Sequence, residues 1–536
     1  MTGKIDISPE QLAIVQGILK DHLPKGTLAW AFGSRVTWTA KPFSDLDIAL
    51  EGTAPLAPEV LIDLEEAFEA SDLPWKVDVI DLHAVSPEFR AIVERQRVPA
   101  DWVETTLGEV TGRGGGSIQT GPFGSQLHAS DYKEWGVPVI MPQNISTDRI
   151  STDGIARISE EDAERLSKHR VQVGDIVYSR RGDVERRALV RSENEGWLCG
   201  TGCLKVRFGS GVVVPEFAAF YLSHPASKAW VVQHAVGATM PNLNTSILSA
   251  VPFVLPPIDE QQRIADTLAA LDDKIELNRR MNETLEAMAR AVFRDWFVDF
   301  GPTRRKAAGL TDPAAILGGL LPDPTQAAPL AALFPDRFGE DGLPEGWEER
   351  SIADDFDVEM GQSPPGSTYN EEGEGLPFFQ GRRDFQFRFP EKRVYCSAPT
   401  RIAQADWTLI SVRAPVGDIN RAWEKCCIGR GVGAMMHKKG WASFTYYVGL
   451  HLQTELASYD KDGTVFGSIN QKQLKGLSLS GTNSSAAKAF DDLIAPMDAM
   501  IRNNTAENQT LAATRDLLLP KLMSGEIRLT GAEGVV

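Results

Sequence analysis

Ile258-Asp-Glu-Gln-Gln-Arg-Ile264 opens a stretch, 258–300, whose reading decides the fold. Along it Ile264, Leu268, Leu271, Ile275, Asn278, Asn282, Leu285, Val292 and Trp296 fall at alternating steps of three and four. That spacing predicts one long helix with a single seam. A shift of 226 residues maps these positions onto Phe490, Ile494, Met497, Ile501, Asn504, Asn508, Leu511, Leu518 and Leu522 within 484–526. Asparagine falls on asparagine twice. A buried Asn in a heptad seam costs stability and fixes register and partner, so the two stretches read as helices made to pair, with Ile275, Asn278, Asn282, Ile501, Asn504 and Asn508 at the seam.

The duplication extends upstream of each helix. Each copy opens on Pro-x-x-Trp, Pro99 to Trp102 and Pro344 to Trp347. Each has a short apolar run after Gly136 or Gly375, then a strand-like run ending in Gly-Asp at Asp183 or Asp418. Each closes on a loop, 237–244 or 463–470, just before the helix. Short β-rich segments punctuated by Gly and Pro predict mixed α+β globules. The expected layout is a first globule at 99–257, a helix at 258–300, a partly ordered Ala/Pro/Gly-rich connector at 301–343, a second globule at 344–483 and a second helix at 484–530. Residues 1–98 differ in character and read as a small α/β domain.

Composition narrows the function classes. No run approaches the roughly 18 apolar residues of a membrane span, and no secretory signal pattern opens the chain. Five cysteines without zinc-ligand spacing suggest reduced thiols and a cytoplasmic protein. The net charge of −18 is unevenly spread: residues 1–100 carry −7, whereas 101–255 and 345–480 carry only −2 each. The two globules can therefore present local basic faces to DNA inside an acidic molecule.

The run Leu255-Pro-Pro-Ile-Asp-Glu-Gln-Gln-Arg-Ile-Ala265, followed by Leu271-Asp-Asp-Lys-Ile-Glu-Leu-Asn278 and Phe293-Arg-Asp-Trp-Phe-Val-Asp-Phe300, resembles the specificity (S) subunit of type I restriction–modification enzymes. The resemblance covers residues 101–530. It implies two target recognition domains separated by a pair of long antiparallel coiled-coil helices, each domain reading half of a split double-stranded DNA target. It also implies two modification (methyltransferase) subunits docked on the helices, and restriction (motor/nuclease) subunits as further partners. The S portion would have no catalytic site, S-adenosylmethionine and ATP being held by the partner subunits. A helix of 40 residues spans about 60 Å, long enough to set a gap of one to two duplex turns.

Candidate DNA contacts are polar residues on loops and strand ends at matching places in the two copies. They are Gln143, Asn144, Ser179, Arg180, Arg181 and Asn242 in the first, and Gln380, Arg382, Arg383, Arg413 and Lys461 in the second. Arg, Gln and Asn can bond base edges bidentately, while other basic side chains pair with phosphates.

Residues 1–98 contain Gly33-Ser34, then Asp45-Leu-Asp47, and a third carboxylate at Asp78. Asp45 and Asp47 stand one apart on a strand and so share a face. This pattern resembles minimal nucleotidyltransferases of the DNA polymerase β superfamily. It implies Gly33 and Ser34 as the opening of a helix that holds a nucleoside triphosphate. Asp45, Asp47 and Asp78 would then be catalytic and Mg-binding, and Asp81, on the opposite face of its strand, is the weaker choice. The sequence departs from the family in Arg35-Val-Thr-Trp-Thr-Ala-Lys41, where relatives often place Arg and Gly. Arg430 and His437 match the Arg-x(4–6)-His spacing of a ribonuclease partner of such domains, but in a Gly-rich context read as chance. A second function class therefore stands beside the DNA reader: a nucleotidyltransferase acting on protein or RNA and targeted by the duplicated part.

Overall fold

The computed structural model describes residues 5–146, 149–237, 239–459 and 467–529. The chain divides into two compact units, Met1–Ile275 with Gln509–Val536, and Glu276–Asn508. Among the described residues no helix is long and apolar enough to cross a membrane.

The first unit begins with a four-stranded mixed sheet in the order Val77–Asp81, Leu46–Glu51, Leu28–Phe32, Val98–Pro99. Helix Pro9–His22 starts on a capping box, with Ser8 and Gln11 satisfying each other's backbone N–H groups and Pro9 in the first turn. Helices Pro9–His22 and Pro58–Glu69 bury Val15, Leu19, Leu64 and Phe68 in one core with the sheet residues Ala29, Ala31, Ile48 and Leu50. A third helix, Pro87–Gln96, buries only Val93.

The two globules, one in each unit, share one topology. The first has a sheet ordered Arg187–Leu189, Ile176–Ser179, Cys203–Arg207, Ser117–Thr120. The second has Ile419–Arg421, Thr408–Ser411, Val432–His437, Phe356–Met360. Every neighbouring pair is antiparallel in both. A second sheet runs Leu198–Cys199, Val137–Ile140, Ala156–Ile158, Tyr132–Lys133 in the first globule. Its counterpart runs Cys426–Ile428, Leu376–Phe379, Tyr395–Cys396, Tyr369–Asn370, with Ile402–Ala403 added beyond Cys426–Ile428. In each the first pair is parallel. A two-stranded ribbon joins the opening of each globule to its end: Val103–Thr106 with Pro252–Leu255, and Glu348–Ser351 with Ser478–Thr482.

The long helices are Ile258–Phe297, of 40 residues, and Ser484–Ser524, of 41. Their segments pair antiparallel inside each unit. In the first, Ile264 and Leu268 share a core with Leu519 and Leu522, and Asp272 meets Arg515 at 2.7 Å. In the second, Phe293 packs edge-on against Phe490 with centroids 5.5 Å apart. There Asn278 Nδ2 donates to Asn508 Oδ1 at 3.0 Å, and Asn504 Nδ2 donates to Asn282 Oδ1 at 2.9 Å. Asn278 is the copy equivalent of Asn504, and Asn282 that of Asn508, so each asparagine pairs with the equivalent of the other. That reciprocity is the signature of a local two-fold relation between the helices. Ile501 is fully buried and Ile275 is half-buried.

The connector is more ordered than its composition suggests. Helices Gly301–Ala307, Pro313–Ile316 and Pro324–Ala331 send Ile316, Leu317, Ala327 and Phe334 into the core formed by Trp296, Phe297 and Trp347. Small and apolar residues there serve packing rather than flexibility.

Candidate functional site

In the first globule the strand Ile176–Ser179 ends on a turn in which Ser179 Oγ donates to the Arg181 carbonyl at 3.0 Å. Arg181 then forms an isolated bridge to Asn242, and Leu243 N donates to the Arg180 carbonyl at 2.8 Å. The second globule repeats this. Ser411 Oγ donates to the Pro415 carbonyl at 2.9 Å, Arg413 bridges Ser468, and Ile469 N donates to the Val412 carbonyl at 3.1 Å. Asn244 and Asn470 next cap the short helices Thr245–Ser249 and Gln471–Lys475, each accepting from the backbone N–H three residues on. Arg181 and Arg413 thus stand at equivalent, exposed places. Lys461 lies outside the described residues.

A second loop follows the strands Val137–Ile140 and Leu376–Phe379. Gln143, Gln380, Arg382 and Arg383 are exposed on it, and Arg382 meets Asp418 at 2.6 Å. Asn144 is fully buried: its Oδ1 accepts from Met141 N and its Nδ2 donates to the Asp153 carbonyl. Asp384 occupies the same place in the second copy, accepting from Gln380 N at 2.8 Å. Asn144 and Ser179, both offered as DNA contacts, are therefore spent on shaping their turns, because a buried amide or hydroxyl must find its partners locally. Arg180 is half-buried, and Arg181 and Gln143 are the freer side chains. The first copy thus displays fewer of its candidates than the second.

In the N-terminal domain, Asp47 and Asp78 are register partners on parallel strands, and Phe32, the residue before Gly33, is opposite Asp47 on the other side. Gly33 has φ of +77°, and a Cβ there would stand 2.3 Å from Asp47 Oδ2. Only glycine allows that approach. Burial, followed by the charges of Asp78 and Asp45, holds the Asp47 carboxyl above its usual range. Asp78 meets Lys76 at 2.6 Å, and Asp45 is exposed just before the strand. Among the described residues no three His, Cys, Asp or Glu side chains converge as a ready metal-ligand set. Asp47 and Asp78 nonetheless suit a divalent cation, being adjacent hard oxygen donors whose mutual repulsion a cation would relieve.

Two expectations here need correction. Asp45 precedes the strand Leu46–Glu51 rather than sharing it with Asp47. Gly33–Arg35 forms a single 3-10 turn rather than the start of a longer helix. Arg35 is buried, donating to the Ser44 and Asp6 carbonyls and lying 4.4 Å over the Trp75 ring, so it holds the following loop together. Asp81 accepts from Leu56 N and His83 N, a structural duty consistent with its opposite face. His437 is buried on a strand, stacked on Trp441, and burial pushes its imidazole down to about 4. It belongs to the core. Burial likewise pushes the thiols of Cys199 and Cys426 up to about 12, which removes them as nucleophiles.

Two buried arginine clusters were not foreseen. Arg528 is 1% exposed, yet it pairs with Asp101 at 2.8 Å and Glu260 at 2.5 Å and donates to the Ala29 carbonyl at 3.0 Å. Trp102 Nε1 donates to the same Glu260 at 3.0 Å, which explains the Trp of the opening motif. Arg388 is the other, set between Glu286 and Asp498. Its only sequence signal is a charge flanked by Phe387 and Phe389.

Comparison with known proteins agrees with this architecture. Residues 99–287 match the type I restriction modification DNA specificity domain, and residues 15–98 match the polymerase beta nucleotidyltransferase domain. The chain is 26% identical over 404 residues to a protein of Methanocaldococcus jannaschii named as the type I restriction enzyme MjaX specificity subunit, covering 74% of this chain and 88% of the relative. It is 24% identical over 421 residues to the type I restriction enzyme HindI specificity subunit of Haemophilus influenzae, covering 68% and 89%. Its N-terminal part is 44% identical over 109 residues to a Haemophilus influenzae protein named as the protein adenylyltransferase MntA, 20% of this chain and 95% of that one. The chain thus carries a type I restriction modification DNA specificity domain, has type I specificity subunits as homologues over most of its length, and carries at its N-terminus a nucleotidyltransferase domain of polymerase beta type.

Proposed function

We propose that this specificity subunit reads a bipartite double-stranded DNA target, one half with each globule, and assembles two modification subunits and the restriction subunits around its paired helices. The observation that carries this reading is the repetition of one strand order in both globules, joined to helices whose asparagines pair reciprocally. Two readers of the same fold with different exposed side chains call for two different half-sites. Arg181 and Arg413, on equivalent turns, and Arg382–Arg383 supply the guanidinium groups suited to guanine edges and phosphates. The S portion itself holds neither S-adenosylmethionine nor ATP in this reading; both belong to the partner subunits. Co-expression with those subunits and mapping of methylated bases tests it. A split motif is expected, and a contiguous one would refute it. Replacing Arg181 by Gln should weaken or change one half-site and leave the other.

A second activity is supported by the placement of Asp47 beside Asp78 and against Gly33. In it Asp47 and Asp78, with Asp45 at the strand's edge, hold Mg²⁺ and a nucleoside triphosphate for nucleotidyl transfer to a protein or RNA acceptor. The metal would neutralise phosphate charge during transfer. Labelled nucleotide transferred by the wild-type chain and not by Asp47→Asn would bear this out. If that substitution leaves site-specific methylation unchanged, the two activities are separable.

A further inference from the structure

The segment Gln380–Arg393 exposes Gln380, Arg382, Arg383, Gln386 and Phe387, yet Arg388 within it is wholly buried. Arg388 also has a left-handed backbone, φ 66°, which a non-glycine residue adopts only when its surroundings enforce it. Its guanidinium stands 3.3 Å from Glu286 on the first long helix and pairs with Asp498 on the second. It donates to the Tyr447 hydroxyl at 3.0 Å and lies 3.9 Å over the Tyr446 ring. Asp498 also holds Arg421 at 2.8 Å, and Arg421 N donates to the Arg388 carbonyl at 2.8 Å. Asn420 Nδ2 donates to the Gln386 carbonyl at 2.6 Å. A guanidinium is costly to bury unless its charge is met on several sides, as it is here. The arrangement ties an exposed loop tip to both long helices.

We propose that Arg388 is a positioning residue for base reading by the second copy: pinned between Glu286 and Asp498, it fixes how Arg382, Arg383 and Gln386 meet one half of the target. This rests on the reading of that loop as a DNA contact. The first copy closes its loop alike, Ser151 N donating to the Asn144 carbonyl where Glu391 N donates to that of Asp384. The anchor belongs to the loop of the second copy, so its effect is expected at one half-site only.

The test is Arg388→Lys, Arg388→Met and the near-isosteric Glu286→Gln in the full chain, co-expressed with its modification subunits. Methylated sites are mapped by direct sequencing, and thermal melting is recorded alongside. The Arg388 variants should lose about tenfold in base discrimination at the half-site of the second copy and hold the other half-site within about twofold. Lys should not rescue, since it keeps the charge but cannot fork between two carboxylates. Unchanged letters in every variant, or equal blurring of both halves, overturns the proposal. If Arg382→Gln with Arg383→Gln shifts the second half-site while the Arg388 variants do not, the anchor is wrong and the loop reading stands. If neither shifts it, the loop reading falls and takes the anchor with it.

Discussion

Asp47 shows how single residues divide between folding and chemistry. Its carboxyl is held above the usual range by burial and by Asp78 and Asp45. A raised carboxyl means that the folded state binds more protons than the unfolded one. Stability is therefore fully present below the unfolded value and falls as pH rises through the folded one. Asp47→Asn should melt slightly higher than wild type at neutral pH and lose that advantage in acid. Added Mg²⁺ should raise the wild-type midpoint and leave the variant's unchanged. Scanning calorimetry with and without the cation checks both. Arg528 argues the other way. Its removal leaves Glu260, itself 1% exposed, and Asp101 with no cation, and should cost about 3–5 kcal/mol by denaturant titration. Burial already pushes the Asp101 carboxyl up against the pull of Arg528. Without that pull it rises further, so Arg528→Met should be less impaired at pH 5 than at pH 8. Asp47 was legible in the sequence as a candidate, and Arg528 was not. The Gly-Ser and Asp-x-Asp spacing marked a nucleotide chemistry, but nothing near Arg528 in the chain says that Asp101 and Glu260 will surround it. Long-range ion pairs leave no periodic trace.

At the scale of elements the seam was legible, because a 3.5-residue period must face a partner along its whole length. Ile264, Leu268, Trp296, Phe490, Ile494 and Leu522 are all buried, and Asn278 and Asn282 are 1% and 3% exposed. The pairing of Asn278 with Asn508, rather than with its own copy equivalent Asn504, follows from antiparallel packing. A double-mutant cycle on Asn278→Ala and Asn508→Ala should give a coupling of about 0.5–1.5 kcal/mol. Replacing all four seam asparagines with Leu should raise the melting temperature while admitting other registers, visible as mixed species in size-exclusion chromatography. The turns around Asn144 and Ser179 were harder to read. Polar residues on a loop look alike whether they face solvent or close the loop, and only the backbone donors at Met141 and the carbonyl at Arg181 decide which. The connector misled for a related reason: Ala and Pro suit a linker and also suit close helix packing against Trp296 and Phe334.

For the whole molecule, the repeat ties the two readers to one pair of helices. Exchanging residues 344–483 for the corresponding globule of another specificity subunit should change one half of the target and keep the other half and the gap. The N-terminal domain is joined to the first globule through Arg528, Asp101 and the Ala29 carbonyl. It should therefore resist limited proteolysis at residues 97–101 in the wild type and be released in Arg528→Met.

The most direct measurement concerns the helices as a spacer. Seven residues inserted in each long helix, at facing positions beside Asn278 and Asn508, add one heptad, about 10 Å of helix. Mapped methylation in cells carrying that variant should show both half-sites with their original letters and a gap longer by about three base pairs. An unchanged gap, or half-sites with new letters, would contradict a split target measured by paired helices.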